Sequence, residues 1–318
     1  MPKIVVLDGF ALNPGDLSWE NLQALGETTI YDRTAPHEVE ERSLCAEILI
    51  TNKIPLDAAL IERLPHLKAI MVSATGHDVV DGLAARKRNI PVCNVAGYGP
   101  DAVAQHTFAL LLALINRVGE YQNDVQAGGW SQRGDWCYYL YFPVELRGKT
   151  IGLVGFGRIA QRVAKIAIGF GMKVIAYTPN PKPHPNVSFT TLETVFKESD
   201  VVSLHCPITP ENRMMVNKDR LAMMKQNAVL INTARGGLVD EEALKMALIQ
   251  RKIAGAALDV LAQEPPPLDH PLFGMDHCII TPHIAWAAHE TRKRLLHWMV
   301  ENIRSFLAGK PINVVNDV

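Results

Sequence analysis

Hydrophobic positions in this chain occur mainly as short continuous runs rich in β-branched residues, separated by stretches with helical periodicity. Continuous apolar runs are typical of parallel strands that helices cover on both faces. There are two series of such runs. The first comprises Lys3–Asp8, Thr28–Tyr31, Glu47–Thr51, Leu67–Ser73 and Ile90–Asn94, and the second comprises Thr150–Val154, Lys173–Tyr177, Val201–His205, Ala228–Asn232, Ala256–Val260 and Cys278–Thr281. The pattern predicts an α/β fold with two doubly wound parallel sheets.

Three segments outside these runs are also informative. Asp101 is a plausible N-cap for a helix that runs to about Arg117, and the apolar second half of this helix predicts burial between domains or subunits. The segment Gly128 to Pro143 is rich in Trp and Tyr and lacks periodicity, which indicates an irregular loop or arm. An amphipathic pattern from about Ala287 to Ala308 predicts a final helix that returns to the first domain.

The strongest local motif is the turn Gly155-Phe156-Gly157-Arg158-Ile159-Ala160, a G-x-G-x-x-A pattern. It follows the run Thr150–Val154 directly and begins a helical stretch, which is the context that a dinucleotide-binding turn requires. The first glycine makes the tight bend, the second lets the backbone approach a pyrophosphate, and the small third residue allows close helix–strand packing. The phosphates then lie at the positive N-terminus of the helix. The motif predicts a dinucleotide site.

The end of the next strand bears on the choice between NAD and NADP. Dinucleotide-binding folds usually place Asp or Glu there, about 20 residues after the turn, to bind the ribose 2′-hydroxyl. This strand ends in Ala176-Tyr177-Thr178-Pro179, without an acidic residue. We therefore expect NAD or NADP to serve, with no more than a modest preference.

Three titratable or charged residues, Arg235, Glu264 and His283, follow successive strands of the second series. Ligands of open α/β sheets bind beyond the carboxyl ends of the strands. Each residue alone has an ordinary structural interpretation, but their recurrence at successive strand ends favours a catalytic set. His205 ends a further strand and either lines the cofactor cleft or packs structurally. His106 lies in the apolar helix and is interpreted as a satisfied core residue.

Composition and charge limit the classes of partner. Lys and Arg number 32 against 33 Asp and Glu, so there is no basic excess for binding nucleic acid. The densest apolar run, residues 108–115, is far shorter than the roughly 20 residues that a bilayer requires. The cysteines are odd in number and widely spaced, as expected of reduced thiols, and no His/Cys cluster has metal-ligand spacing. We expect a cytoplasmic protein without nucleic acid, membrane or metal as a partner.

Over essentially its whole length the chain resembles the D-isomer-specific 2-hydroxyacid dehydrogenase family. Besides the glycine-rich turn, the matching motifs are Val72-Ser73-Ala74-Thr75-Gly76-His77-Asp78, Asp200-Val201-Val202-Ser203-Leu204-His205-Cys206-Pro207, Asn232-Thr233-Ala234-Arg235-Gly236-Gly237, Asp259-Val260 with Glu264-Pro265, and Thr281-Pro282-His283-Ile284-Ala285-Trp286. The start Val6-Leu7-Asp8-Gly9 and the His283–Trp286 segment are most similar to the glycerate dehydrogenase, or hydroxypyruvate reductase, branch. Thr178 departs from the family, because its NAD-specific members carry Asp there.

The resemblance implies an architecture and a reaction. It implies a flavodoxin-like substrate domain of residues 1–98 plus 287–318, a Rossmann coenzyme domain of 99–286, and a homodimer formed through the coenzyme domain. Trp130, Trp136 or Tyr138 of the arm would be candidates to reach the partner's site. The implied reaction is hydride transfer between NAD(P)H and a small 2-keto acid, with hydroxypyruvate or glyoxylate converted to D-glycerate or glycolate.

Residue chemistry and the resemblance agree on the catalytic roles. Arg235 would bind the substrate carboxylate and polarise the carbonyl. His283 would donate the proton, and Glu264 would orient the ring and stabilise the imidazolium. Cofactor contacts are expected from Gly155, Phe156, Gly157, Arg158, Ile159, Thr178, His205, Cys206, Pro207, Thr233, Ala234, Arg235, Asp259 and His283. Substrate contacts are expected from Ser73, Ala74, Thr75, Gly76, Arg235, His283 and Trp286.

Other functions remain open at this stage. Some corepressors keep this fold and motif set as non-catalytic NAD(H)-sensing scaffolds, and absence of turnover on any keto acid would favour that function. Formate dehydrogenases pair the histidine with Gln, so Glu264 disfavours them. A phosphoglycerate-type enzyme or a dehydrogenase for a different D-2-hydroxy acid stays open, because the sequence does not determine the acid.

Overall fold

The structure is a computed structural model that describes residues 1–317. The described residues divide into two compact units. One, the N-terminal unit, comprises Met1–Gly99 and the chain from Ala287 onward, and the other, the central unit, is Pro100–Trp286.

The N-terminal unit contains a parallel sheet with the strand order β2-β1-β3-β4-β5. Its strands are β1 (Lys3–Val6), β2 (Glu27–Ile30), β3 (Ile48–Thr51), β4 (Ala69–Val72) and β5 (Val92–Cys93). Its helices before residue 100 are α1 (Gly9–Leu12), α2 (Glu20–Gln23), α3 (Val39–Ser43), α4 (Ala58–Arg63) and α5 (Gly82–Lys87), with a 3₁₀ turn at Pro36–Glu38. This is the flavodoxin-like strand order, which confirms the fold predicted for this part of the chain.

The central unit contains a second parallel sheet with the order β12-β11-β10-β9-β6-β7-β8. Its strands are β6 (Thr150–Val154), β7 (Lys173–Tyr177), β8 (Ser188–Phe189), β9 (Val201–Leu204), β10 (Val229–Asn232), β11 (Gly255–Leu258) and β12 (Cys278–Ile280). Its helices are α6 (Pro100–Asn116), α7 (Val118–Gln126), α8 (Gly129–Arg133), α9 (Arg158–Gly169), α10 (Leu192–Glu198), α11 (Lys218–Met223) and α12 (Glu241–Ile249), with a 3₁₀ turn at Gly236–Leu238. The strand order reverses between β6 and β9, and this reversal is the switch point at which a Rossmann fold binds its ligand.

After the central unit the chain returns to the N-terminal unit as α13 (His289–Leu307). Its buried side chains include Leu295, Met299 and Ile303, which recur at helical spacing on one face. The predicted amphipathic final helix is therefore present, and it packs on β4 of the first sheet.

Buried strands and polar caps explain why these elements form where they do. All four residues of β3, β4, β9 and β10 are buried, as expected for parallel strands with both faces covered. Several helices begin at a polar residue whose side chain accepts a hydrogen bond from the backbone N–H three residues later, which satisfies one of the free donors of the first turn. These N-caps are Asp57, Asp81, Thr191, Asn217 and Asp240.

The structure differs from the sequence prediction at several elements. The helix predicted with Asp101 as N-cap begins at Pro100 instead, because proline suits the first helical position, and Asp101 pairs with Arg162 at 2.9 Å. Strand β8 was not predicted, since two residues give no readable pattern. The first part of the predicted irregular arm is the short helix α8, in which Arg133 bonds to Asp124 and Gly129.

Helix α6 packs against α9 and the β10, β11 and β12 side of its own sheet. Its buried side chains include Phe108, Leu111 and Leu114, and they pack within the core of the central unit. The apolar pattern had predicted burial between domains or subunits, and the helix's own sheet provides the burial instead. Within residues 1–317 no single helix is long and apolar enough to cross a membrane, whereas α6 and α7, bent by 52°, satisfy the length and composition criteria as a pair.

Candidate active site

The glycine-rich turn connects β6 to α9 at the switch point of the second sheet. Gly155 has φ +89°, and a Cβ there would lie 2.8 Å from backbone atoms of His205 and Cys206, so no other residue fits without moving the backbone. Gly157, by contrast, has no other atom within 4 Å of an added Cβ. Ala160 is fully buried, which gives the close helix–strand contact that the motif requires.

This turn fits the diphosphate of a dinucleotide. The N–H groups of the first turn of α9 have no acceptors within the helix, and no acidic side chain lies in that turn. The space beside Gly157 lets an anion approach these donors, where the helix dipole favours negative charge. Arg158 and Ile159 form the start of α9, so the whole predicted segment lies at this helix terminus.

The end of β7 lies next to this turn. Gly155 N donates to Tyr177 O at 2.8 Å, which places Thr178 beside the glycine-rich segment. Phe156 packs edge-on against His184 of the following proline-rich loop and against Phe189 of β8. Thr178 is half-buried, and its neighbours Pro179 and Asn180 are exposed. None of these three residues carries a carboxylate.

His205 at the end of β9 is a neutral residue of the same edge. Its N–H donates to Val154 O, and its Nε2 lies 2.9 Å from Ser203 Oγ. Burial lowers the pKa of His205 to about 3, so the ring carries no charge near neutral pH. Burial also raises the pKa of the adjacent Cys206 thiol. His205 and Cys206 border the glycine-rich turn at Gly155. Contact of these two residues and of the following Pro207 with the cofactor stays a prediction.

Arg235 lies on the turn that follows β10. The buried Asn232 holds this turn, because its Nδ2 donates to Arg235 O at 2.9 Å while its Oδ1 accepts from Ala234 N at 3.0 Å. The Arg235 guanidinium donates to Ala234 O at 2.8 Å. Thr233, almost fully buried, completes the segment. A side-chain amide therefore fixes the backbone that presents the guanidinium.

The structure brings His283 and Glu264 into direct contact. His283 Nδ1 lies 2.6 Å from Glu264 Oε2, and Glu264 Oε1 accepts from Leu261 N at 3.1 Å. An ionised carboxylate can only accept, so the Nδ1–H of the ring donates to it, and Nε2 is the ring atom that faces a reaction partner. The two side chains are 24% and 33% exposed, so they remain accessible to a substrate.

The segment that carries His283 is held by Asp259. His283 has φ +55°, and its N–H donates to Asp259 O at 2.8 Å. The Asp259 carboxylate is buried and accepts from Ile284 N and Ala285 N, each at 2.9 Å, and from Thr281 Oγ1 at 2.6 Å. Burial raises the pKa of Asp259, but hydrogen bonds from His106, Thr281 and these N–H groups outweigh it, and the net pKa is lowered. The contact of Asp259 with the cofactor stays a prediction.

A largely apolar cavity of about 560 Å³ lies against the His283–Glu264 pair. Pro266, Phe273 and Ile280 line it together with the pair. The loop between Leu261 and Phe273 is anchored by buried His270, whose Nε2 lies 3.2 Å from Glu241 Oε2. The sequence gives only a weak signal for His270, a single histidine between Asp269 and Pro271 in a loop, and neither His270 nor Glu241 was predicted.

The remaining predicted residues lie apart from this cluster in the sequence. Ser73 to Gly76 follow β4 of the N-terminal unit. The Ser73 N–H donates to Thr51 O, and contact of Ser73, Ala74, Thr75 and Gly76 with the substrate stays a prediction. Trp286 is half-buried at the end of the central unit.

Within the part of the chain described, no three His, Cys, Asp or Glu side chains are arranged to hold a metal ion.

Comparisons with known proteins agree with this geometry. Residues 108–285 match the model of the family described as D-isomer specific 2-hydroxyacid dehydrogenase, NAD binding domain. The chain is 45% identical to hydroxypyruvate reductase of Blautia hydrogenotrophica over 99% of each chain, and 41% identical to glycerate dehydrogenase of Methylorubrum extorquens over 98% of each. It also superposes on an acyclic imino acid reductase in complex with NADPH and D-Arg, with TM-score 0.86 and 33% identity over 98% of this chain and 99% of that one.

Proposed function

Because this chain belongs to the D-isomer specific 2-hydroxyacid dehydrogenase family, we propose that it reduces a small 2-keto acid, hydroxypyruvate or glyoxylate, to the D-2-hydroxy acid. The coenzyme is NAD or NADP. The similarity to hydroxypyruvate reductase and glycerate dehydrogenase over nearly the full length supports hydroxypyruvate as the first substrate to test. The central unit binds the coenzyme, and a role of the N-terminal unit in holding the substrate is part of the same proposal.

The contact between His283 and Glu264 carries this proposal. Reduction of a keto acid places negative charge on the carbonyl oxygen, and a proton donor at that atom lowers the barrier. His283 offers its Nε2–H when protonated, while Glu264, 2.6 Å from Nδ1, fixes the ring orientation and stabilises the imidazolium. In the oxidative direction the neutral ring accepts the proton of the hydroxyl through the same atom.

Arg235 supplies the positive charge that binds the substrate carboxylate. Its guanidinium is always protonated and matches a carboxylate with two parallel N–H groups, so it suits the anionic end of a 2-keto acid. The nicotinamide, when bound, supplies or accepts the hydride. The glycine-rich turn holds the diphosphate at the start of α9, and Thr178 leaves the ribose region without a carboxylate, which is compatible with both coenzymes.

One assay panel tests the proposal. NADH and NADPH oxidation is followed with hydroxypyruvate, glyoxylate, pyruvate and a bulky aromatic keto acid. We expect turnover with the first two, and His283→Ala to lower kcat by about 10² to 10⁴ through loss of the acid/base group. Exposed His66 provides the matched control, since His66→Ala leaves the site intact. NADH binding without turnover on any acid would instead support a coenzyme-sensing scaffold.

We also propose a homodimer, supported by exposed aromatic side chains in the arm. Trp136 is 88% exposed and Phe142 is 81% exposed. Exposed apolar side chains that lie close together often mark a protein–protein contact. Tyr138 donates to Asp124 of α7 at 2.7 Å and is held by that helix, so Trp136 is the better candidate to reach a partner. A mass near 35.1 kDa in light scattering at micromolar concentration would refute the dimer.

A cytoplasmic location is the last part of the proposal. Cys45, Cys93, Cys137, Cys206 and Cys278 are all free thiols, as is usual where glutathione keeps cysteines reduced. Recovery of the activity in a membrane or secreted fraction would contradict it.

A further inference from the structure

Two adjacent residues of α6 contact the segments that carry the candidate catalytic residues. His106 Nε2 lies 3.0 Å from Thr281 Oγ1, and Thr107 Oγ1 lies 3.1 Å from Thr233 Oγ1. Thr281 precedes His283 by two residues, and Thr233 precedes Arg235 by two. One turn of one helix therefore supports two different strand ends of the site.

The direction of the first hydrogen bond follows from its surroundings. The Thr281 hydroxyl donates to Asp259 Oδ1 at 2.6 Å, so its single proton is already used. His106 must then donate its Nε2–H to Thr281 Oγ1, and the same nitrogen lies 3.3 Å from Asp259 Oδ1. His106, Thr281 and the ionised Asp259 thus form one connected group with a defined proton arrangement.

This group determines where the His283 segment lies. Asp259 accepts the N–H groups of the three consecutive residues 283–285, the first through its carbonyl and the other two through its carboxylate. His283 itself has φ +55°, a region in which residues other than glycine are uncommon. Such a conformation persists only when its surroundings hold it, so the position of the imidazole depends on the Asp259 carboxylate.

The second contact acts on the Arg235 segment. Thr107 Oγ1 donates to Val103 O at 2.8 Å, so the hydroxyl of Thr233 is the donor between the two threonines. Thr107 and Thr233 are 1% and 9% exposed. Because both side chains are nearly excluded from water, loss of either hydroxyl leaves a buried polar group with an incomplete set of partners.

We propose that His106 and Thr107 are positioning residues of the reaction, His106 acting through Thr281 and Asp259 on the acid/base His283, and Thr107 acting through Thr233 on Arg235. This inference rests on the proposed function. It assigns different kinetic consequences to neighbouring residues. His283 acts on the proton transfer, so a change at His106 should affect mainly kcat. Arg235 binds the substrate carboxylate, so a change at Thr107 should affect mainly the KM for the keto acid.

The experiment compares matched variants with NADH and hydroxypyruvate. His106→Leu removes the donor, whereas His106→Gln keeps an N–H donor of similar reach. Thr107→Val removes the hydroxyl without changing the shape, whereas Thr107→Ser keeps it. Gln105→Ala, at an exposed position of the same helix, is the control and should match the wild type.

We expect His106→Leu to lower kcat by about 10- to 100-fold with little change in either KM, since misplacement of a catalytic group by about 1 Å has effects of this size. Thr107→Val should raise the KM for the keto acid about 10-fold, with a smaller change in kcat. His106→Gln and Thr107→Ser should recover most of each loss, which a general loss of packing would not reproduce. Thr281→Val removes the other partner of the His106–Thr281 hydrogen bond and should have the same effect as His106→Leu. If His106→Leu fails to fold, Thr281→Val tests the positioning role of His106 in its place.

Three results would overturn the inference. An active wild type with unchanged kinetics in His106→Leu and Thr107→Val would reject the positioning roles while leaving the proposed function intact. Identical losses in both variants, without the division between kcat and KM, would show a common effect on stability. A wild type inactive on every keto acid would reject the proposed function, and this inference with it.

Discussion

Gly157→Ala separates the cofactor role of the glycine-rich turn from its structural role. The added methyl group meets no other atom within 4 Å, and Gly157 has an ordinary extended backbone with φ −81°. The substitution therefore costs the folded protein nothing in contacts or strain. It should even stabilise the protein by about 0.4–1 kcal/mol, because alanine restricts the unfolded chain more than glycine does.

The cost appears when the coenzyme binds. The methyl group fills the space through which a diphosphate reaches the first N–H groups of α9. Displacing the diphosphate weakens one or two charge-assisted hydrogen bonds, each worth about 1.5–3 kcal/mol. A factor of 10 corresponds to about 1.4 kcal/mol, so we expect the Kd for NADH to rise by about 10-fold or more.

The assay combines thermal denaturation with NADH titration by fluorescence. Gly155→Ala is the contrasting variant, because its methyl group lies 2.8 Å from backbone atoms of His205 and Cys206 and φ is +89°. It should lower the melting temperature, whereas Gly157→Ala should not. Gly119→Ala, which adds a methyl group in open space on α7, should change neither quantity greatly. Wild-type NADH affinity in Gly157→Ala would show that the diphosphate does not bind at the start of α9.

Three further predictions concern pH and coenzyme choice. Glu264→Gln should move the pH profile of keto-acid reduction to lower pH, because the protonated His283 ring loses its carboxylate partner; an unchanged profile would contradict the pair. Thr178→Asp should favour NADH over NADPH, since a carboxylate repels a 2′-phosphate, and equal NADPH efficiency before and after would place the ribose elsewhere. The His205 ring stays neutral in the folded protein, with a pKa of about 3, while the unfolded ring takes up a proton below about pH 6.5. Wild-type stability should therefore fall by about 2 kcal/mol between pH 7 and pH 5 from this group, and denaturant titrations of His205→Gln should lack that part of the loss.

Local sequence patterns were sufficient for most of the fold. Continuous apolar runs such as Ile48–Thr51 can be stable only when both faces are covered, so they predict parallel strands before any contact is known. The strand β8 was missed because its pairing with β7, rather than its own composition, makes it a strand. The start of α6 at Pro100 had a different cause. It depends on the local backbone at that residue, which the apolar pattern does not describe.

For the candidate site, the sequence by itself determined which side chains share an edge, because the carboxyl ends of parallel strands all meet there. Arg235, Glu264 and His283 could be grouped on that ground alone. The pairing of Glu264 with His283 was expected from residue chemistry and the family resemblance, and the structure supplies its distance. Only the tertiary structure decided that Asp259 holds the His283 segment, and that His106 bonds to Thr281, 175 residues further along the chain. The physical reason is that a residue's position along a strand or helix follows from local periodicity, whereas a hydrogen-bond partner depends on which elements pack together, and no local pattern specifies that.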